Sequence, residues 1–170
     1  MEKIGKISAV VISVMVVVSG IASTAIAYDA NNPWTGTVKW SIPSDTSFTV
    51  TFAGSQTQVN FTASAKTQSL IEPDGQDAAN NTPIITLENT GNLNLTFTCN
   101  LTSAKPTWAT IKVGNYKDPG YATEFNTDLV VVTTDVLPGT SAPMFLWSDI
   151  TNAPAGDTTR ELMIWSEECT

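Results

Sequence analysis

The chain contains no histidine. That absence removes the Ser-His-Asp and Cys-His nucleophiles, the imidazole general base and every His-ligated metal site. What remains able to do chemistry is a small set: two cysteines (Cys99 and Cys169), one acidic turn, four Asn-x-Thr tripeptides and five tryptophans. The turn, Glu72-Pro73-Asp74-Gly75-Gln76-Asp77, offers the carboxylate oxygens that calcium collects, but it lacks the Asp-x-Asp-x-Asp-Gly loop closing on Glu and reads as a solvated loop. Glu167-Glu168 reads as exposed tail charge. Two carboxylates suffice for glycoside hydrolysis, yet no acid here lies in an apolar context that would raise its pKa. The expectation is a protein that is not an enzyme and holds no metal or cofactor.

Asn60-Phe61-Thr62, Asn80-Asn81-Thr82, Asn94-Leu95-Thr96 and Asn100-Leu101-Thr102 are acceptor tripeptides for N-glycosylation in an exported protein. Their number is no more than chance supplies in a chain so rich in Asn, Ser and Thr, so their value lies in placement. Asn60, Asn94 and Asn100 fall on the outward set of their expected strands, where a glycan leaves the core alone. Trp34, Trp40, Trp108, Trp147 and Trp165 could form a flat platform for sugar rings if exposed. Trp108, Trp147 and Trp165 lie in apolar strand candidates, where core packing is expected. Trp34, after Asn31-Asn32-Pro33, is the best placed for exposure.

The elements that must position these residues begin with a targeting segment. Lys3 and Lys6 precede an apolar run from Ile7 to Ala22, and Ala25-x-Ala27 supplies the small side chains a signal peptidase accepts. This reads as a secretory signal over residues 1–27, cleaved between Ala27 and Tyr28, leaving a single domain over 28–170. The alternative, a retained membrane anchor, needs a longer span and a basic stop-transfer cluster. The full chain carries 16 acids against 8 bases, a net charge of −8, which argues against a nucleic-acid partner because such binding rests on Lys and Arg. In an oxidising compartment Cys99 and Cys169 are expected as a disulfide pinning the C-terminal end. The alternative is a buried free Cys99 with an exposed tail Cys169.

Beyond the signal the patterning has period two. Phe48-x-Val50-x-Phe52 alternates with hydroxyl residues, and Val59-Asn60-Phe61 repeats the pattern briefly. Leu93, Leu95, Phe97, Cys99 and Leu101 alternate with Asn94, Thr96, Thr98 and Asn100 in the strongest strand of the chain. Further strands are expected at 37–41, 83–88, 108–113, 129–134, 144–147 and 161–165, separated by turn clusters such as Asn89-Thr90-Gly91-Asn92 and Pro138-Gly139. Eight to nine short strands spaced in this way predict an all-β, antiparallel β-sandwich, with a jelly roll as the alternative and helix confined to single turns after the N-terminal signal helix. The strand faces are rich in threonine and poor in lysine, which suits contact with protein or sugar at little cost in charge desolvation.

The stretch Pro83-Ile84-Ile85-Thr86-Leu87-Glu88-Asn89-Thr90-Gly91-Asn92-Leu93-Asn94-Leu95-Thr96-Phe97 resembles the hairpin of immunoglobulin-like domains in prokaryotic, especially archaeal, surface proteins. The Leu137-Pro138-Gly139 and Pro154-Ala155-Gly156-Asp157 turns and the strand at 161–165 resemble the last strands of such domains. A signal followed by one such domain is similar to donor-strand archaeal pilins and TasA-like fibre proteins. That resemblance implies an immunoglobulin-like sandwich, a cell-surface location and assembly with copies of itself by strand donation. The expected donor lies in residues 28–41, where Val38 and Trp40 share one face; the alternative is that the same segment pairs within its own domain. The competing functions are a monomeric surface binding module, such as one for carbohydrate, and a membrane-anchored ectodomain. Components of the cell envelope are the remaining expected partners.

Overall fold

In the computed structural model, residues 39–169 are described. The expected signal helix, the cleavage site at Ala27 and Tyr28, Trp34 and Val38 lie outside them. The chain divides into a first unit, Met1–Pro43, and a second, Ser44–Thr170. The described part of the first unit, Lys39–Pro43, has no regular secondary structure.

The second unit is an antiparallel β-sandwich. Its strands are β1 (Phe48–Phe52), β2 (Gln68–Ile71), β3 (Ile85–Asn89), β4 (Leu95–Leu101), β5 (Ala109–Gly114), β6 (Thr123–Glu124), β7 (Val130–Val136), β8 (Ser141–Ile150) and β9 (Leu162–Glu168). One 3-10 turn, Pro119–Tyr121, is the only helical element among the described residues. One sheet runs β1-β3-β8-β5-β6 with β2 also on β8, and the other runs β7-β4-β9.

Alternation explains both layers. Leu95, Phe97, Cys99 and Leu101 of β4 point inward and meet Ile85, Leu87, Ala142, Met144 and Leu146 from the opposite sheet. Each fully buried side chain of this kind contributes roughly 1.5–3 kcal/mol. Thr96 and Thr98 on the other face of β4 are also buried, because β4 is the middle strand of three.

β8 is buried on both faces, which accounts for the unbroken apolar run from Ala142 to Trp147. Its even residues enter the main core. On the odd face Phe145 and Trp147 stack with ring centroids 6.0 Å apart and form a second, smaller core with Ala78 and Ala122.

The two edges of β8 are also used differently along its length. Odd residues ladder to β5, while even residues face β3 (Met144 opposite Ile85) and then β2 (Ser148 opposite Ile71). Leu146 falls between these two partners, and the buried side chain of Gln76 fills the missing rung. Its Oε1 accepts from the Leu146 N–H at 2.9 Å, and its Nε2 donates to the Leu146 carbonyl at 2.9 Å. A side-chain amide carries one donor and one acceptor like a peptide unit, so it closes a ladder that the chain itself leaves open.

Three expectations for local structure are corrected. Val59-Asn60-Phe61 is not a strand; it lies in the crossing between β1 and β2, tied down by the Asp74 N–H donating to the Asn60 carbonyl at 2.8 Å. Lys39–Ser41, the described end of the expected first strand, is not paired. Trp165 is 49% exposed rather than packed in the core, because it projects from the outer face of β9, where its indole N–H donates to Asn100 Oδ1 at 3.2 Å.

Candidate functional site

The sandwich has unequal layers, and the difference falls on one side. β1 ends the wider sheet and β9 ends the three-stranded one. One contact joins β9 to the lead into β1, Ser166 Oγ donating to the Thr46 carbonyl at 2.8 Å, and Phe48 of β1 meets Phe97 of the middle strand β4 edge to face at 5.2 Å. β7 closes the opposite side, with Thr133 accepting from Asn115 beyond β5.

Ladder alternation shows which backbone groups are left over. The Cys169 N–H bonds to Asn94 and the Thr102 N–H to Glu161, so the odd residues of β9 face β4. The N–H and C=O groups of Leu162, Ile164, Ser166 and Glu168 therefore face away from it. On β1, the Ala53 N–H bonds to Ile84 and the Thr90 N–H to Ser47, so Phe48, Val50 and Phe52 present theirs to the open edge. No described strand pairs with either edge.

Side chains follow the same logic. Phe48, Phe52, Leu162 and Ile164 point toward the core yet are only partly buried, and Val50 between the two phenylalanines is 39% exposed. An inward-facing apolar row that stays half wet, between two unpaired edges, is the geometry an added strand completes: ladder bonds on the edge, alternate side chains into the seam. The sequence showed Phe48–Phe52 as a strand, but whether a strand lies at an edge depends on partners elsewhere in the chain, and no local signal marks it.

Of the expected donor residues, Trp40 is described. Residues 39–47 form no strand, and Trp40 and Ile42 are 66% and 78% exposed, two apolar side chains at period two ahead of Pro43.

The expected disulfide is not formed. Cys99 and Cys169 are free thiols. β4 and β9 are in a register that sets Cys99 opposite Ile164 and Cys169 beside Asn94. Five residues of strand separate the two positions, about 16 Å at the usual rise, against a reach of about 7 Å between the Cα atoms of a bridged pair. Cys99 is buried among apolar neighbours, and desolvation pushes its thiol up to about 12. Cys169 is half-buried at the end of β9.

The four acceptor asparagines are scattered. Asn60 and Asn80 are exposed, while Asn94 and Asn100 are half-buried. In each, the amide nitrogen that a glycan would occupy already donates: Asn60 to Asp74 and Thr62, Asn80 to Asp77 Oδ2 at 2.7 Å, Asn94 to Asp135 Oδ1 at 2.7 Å, and Asn100 to the Thr127 carbonyl at 3.0 Å. The acidic turn is likewise occupied with its own construction. Glu72 accepts from the Ala78 N–H, and Asp74 accepts from Asn60 and Thr62. Asp77 caps Asn80 through side chain and backbone, and those bonds hold its carboxyl below the usual range. Among the described residues no group of three or more Cys, Asp or Glu is arranged to hold a metal, and no helix is long and apolar enough to cross a membrane.

Against this geometry the comparisons with known proteins are silent: no family model, no curated protein and no solved structure matches the chain.

Proposed function

We propose that the chain is an exported structural protein of the cell surface that assembles with copies of itself by strand donation. The seam between β1 and β9 is the acceptor, and the segment carrying Val38 and Trp40 is the donor. The observation that supports this most directly is the half-wet inward row of Phe48, Val50, Phe52, Leu162 and Ile164 between two unpaired edges. The donor's apolar residues recur every second position, as a strand inserted into such a seam requires. Donation from one copy to the next is head-to-tail, so it propagates as an open filament rather than closing. The immunoglobulin-like character and the likeness to secreted fibre subunits argued from the Pro83–Phe97 hairpin point the same way.

Light scattering and negative-stain electron microscopy of the concentrated mature protein, residues 28–170, test this. Regular filaments are expected. Deleting residues 28–41 should abolish them while leaving a folded domain. Val50→Pro, which removes one outward N–H from β1 and leaves the β3 ladder intact, should also abolish them. Filaments that survive both changes refute strand donation. A monodisperse monomer at every concentration favours the alternative, a monomeric surface binding module.

A further inference from the structure

On the outer face of the wider sheet, at the far side from the β1–β9 seam, a cleft of about 700 Å3 opens between the loop carrying Asn81 and the β5–β6 connection. It is lined by Asn81, Asn115, Tyr116, Lys117, Asp118 and Tyr121. Tyr116 and Tyr121 are 64% and 75% exposed, and their rings meet at 6.1 Å with a tilt of 55°.

Both walls are held by local hydrogen bonds. The Asn81 loop is pinned by reciprocal backbone bonds between Asp77 and Thr82, at 3.0 and 2.8 Å, and by the Asn81 N–H donating to the Ala78 carbonyl at 3.1 Å. Asn81 itself sits at φ +59, a left-handed conformation that Asn tolerates better than most residues. On the facing wall the Gly120 N–H donates to Asp118 Oδ1 at 2.8 Å and the Tyr121 N–H to the Asp118 carbonyl at 3.1 Å. Ala78 from one wall and Ala122 from the other pack on the same Phe145–Trp147 pair, so one buried support fixes the width of the cleft.

We infer that this cleft binds a neutral oligosaccharide. Two exposed aromatic faces offer negative π-surface to the polarised C–H groups of pyranose rings, at small entropic cost because tyrosine has few rotors. Asn81 brings a planar amide with donor and acceptor side by side, the pattern that vicinal hydroxyls match, and Asn115, whose Nδ2 donates to Thr133 Oγ1, adds its amide oxygen and second N–H. Lys117 and Asp118 balance in charge, which gives an ionic ligand no advantage. The volume lies within the range of small-ligand sites and is large enough for more than one sugar ring. A proline-rich peptide is the other ligand that aromatic-lined grooves hold, and titration with each separates it from a saccharide.

The test is titration of mature protein (residues 28–170) carrying Val50→Pro, which blocks strand donation far from the cleft, followed by 1H–15N NMR, with cellohexaose, laminarihexaose, maltohexaose and mannohexaose, and with a polyproline decapeptide. At least one hexasaccharide is expected to shift the amide signals of residues 115–121 and 79–82, saturating in the range of weak surface lectins. Tyr116→Ala and Tyr121→Ala should each weaken binding by about tenfold, and Tyr116→Phe and Tyr121→Phe should restore most of it. Matching 1H–15N spectra away from the cleft confirm that each variant is folded. No shift with any saccharide, shifts confined to other residues, alanine variants that bind as well as the parent, or binding of the decapeptide alone overturns the inference. None of these readouts depends on filament formation.

Discussion

Gln76 occupies a position where one side chain stands in for a strand, and removing it has a calculable cost. In Gln76→Leu the volume is nearly kept, but the Leu146 N–H and C=O lose both partners at once. Leu146 is fully buried in the middle of β8, between the rungs at Met144 and Ser148, so water has no ready access. Each buried backbone group left unpaired costs about 1–3 kcal/mol, so the two together give a loss of about 2–6 kcal/mol. That is a large part of the roughly 5–15 kcal/mol by which domains are stable. At about 3–5 °C per kcal/mol for a domain of this size, the melting temperature should fall by about 6–30 °C. The assay is urea unfolding followed by circular dichroism at neutral pH, with Gln58→Ala, exposed in the β1–β2 crossing, as a control expected to stay within about 0.5 kcal/mol. Gln76→Glu separates hydrogen bonding from packing. A charged carboxylate facing the Leu146 carbonyl is unfavourable, so the folded-state pKa of that glutamate should lie above its unfolded value. The destabilisation should then be present at neutral pH and fade as pH falls toward the unfolded glutamate pKa of about 4.3. A loss under about 1 kcal/mol in Gln76→Leu would refute the rung and show that the edge of β8 closes without it.

Other outcomes follow from the same geometry. A thiol reagent at neutral pH should label Cys169 rapidly and Cys99 only on unfolding, because burial among apolar groups pushes the Cys99 thiol up to about 12; mass spectrometry before and after denaturant reads this directly, and non-reducing electrophoresis should show no intramolecular bridge. Gly91→Ala should destabilise by more than about 2 kcal/mol, since an added Cβ would run into the Asp45 carbonyl that leads into β1 and the turn cannot retreat from it; a melting curve unchanged from the parent would contradict that packing. The Leu70 N–H, donating at 2.7 Å, and then the Lys112 ammonium at 3.0 Å hold the Asp149 carboxyl below its ordinary range. Its contribution is therefore fully present above about pH 4 and lost as pH falls through the depressed value. Asp149→Asn should flatten that part of the acid unfolding profile, and an unchanged profile would count against the contact.

Much of the sandwich was legible because its strands are long enough to alternate. Phe48–Phe52 and Leu95–Leu101 carry their inward residues in the chain order itself, and the continuous apolar run in β8 signals burial on two faces. β2 and β6 escaped notice for a physical reason. β2 is four residues long and includes Leu70 at φ +52, with a register shift against β8, while β6 is a two-residue edge. Neither presents a period. Val59-Asn60-Phe61 shows the converse: Val59 and Phe61 alternate correctly and pack against the core, but the backbone bond from Asp74 to Asn60 takes the place of a ladder. The Cys99–Cys169 expectation failed because register, which sets five residues between the two positions, is a property of two strands and a long connection, not of either cysteine. The seam between β1 and β9 was hidden for the same reason, although the alternation of Val38 and Trp40 had marked one side of the proposed pairing.

The order in which the strands find partners has a consequence for how the chain is made. β3 waits for residues 141–144, and the central strand β4 waits for 130–136 on one edge and for 162–168 on the other. Nearly every ladder joins distant parts of the sequence, so little can form while the chain is still emerging, and folding of such a topology is slow. A nascent chain stopped at residue 160 has its best strand bare along one side and its hydrophobic layer uncovered. β9 is the last of the described strands in chain order, so the second edge of β4 is covered only after residues 162–168 have been made, and until then that edge is open to whatever handles unpaired strands.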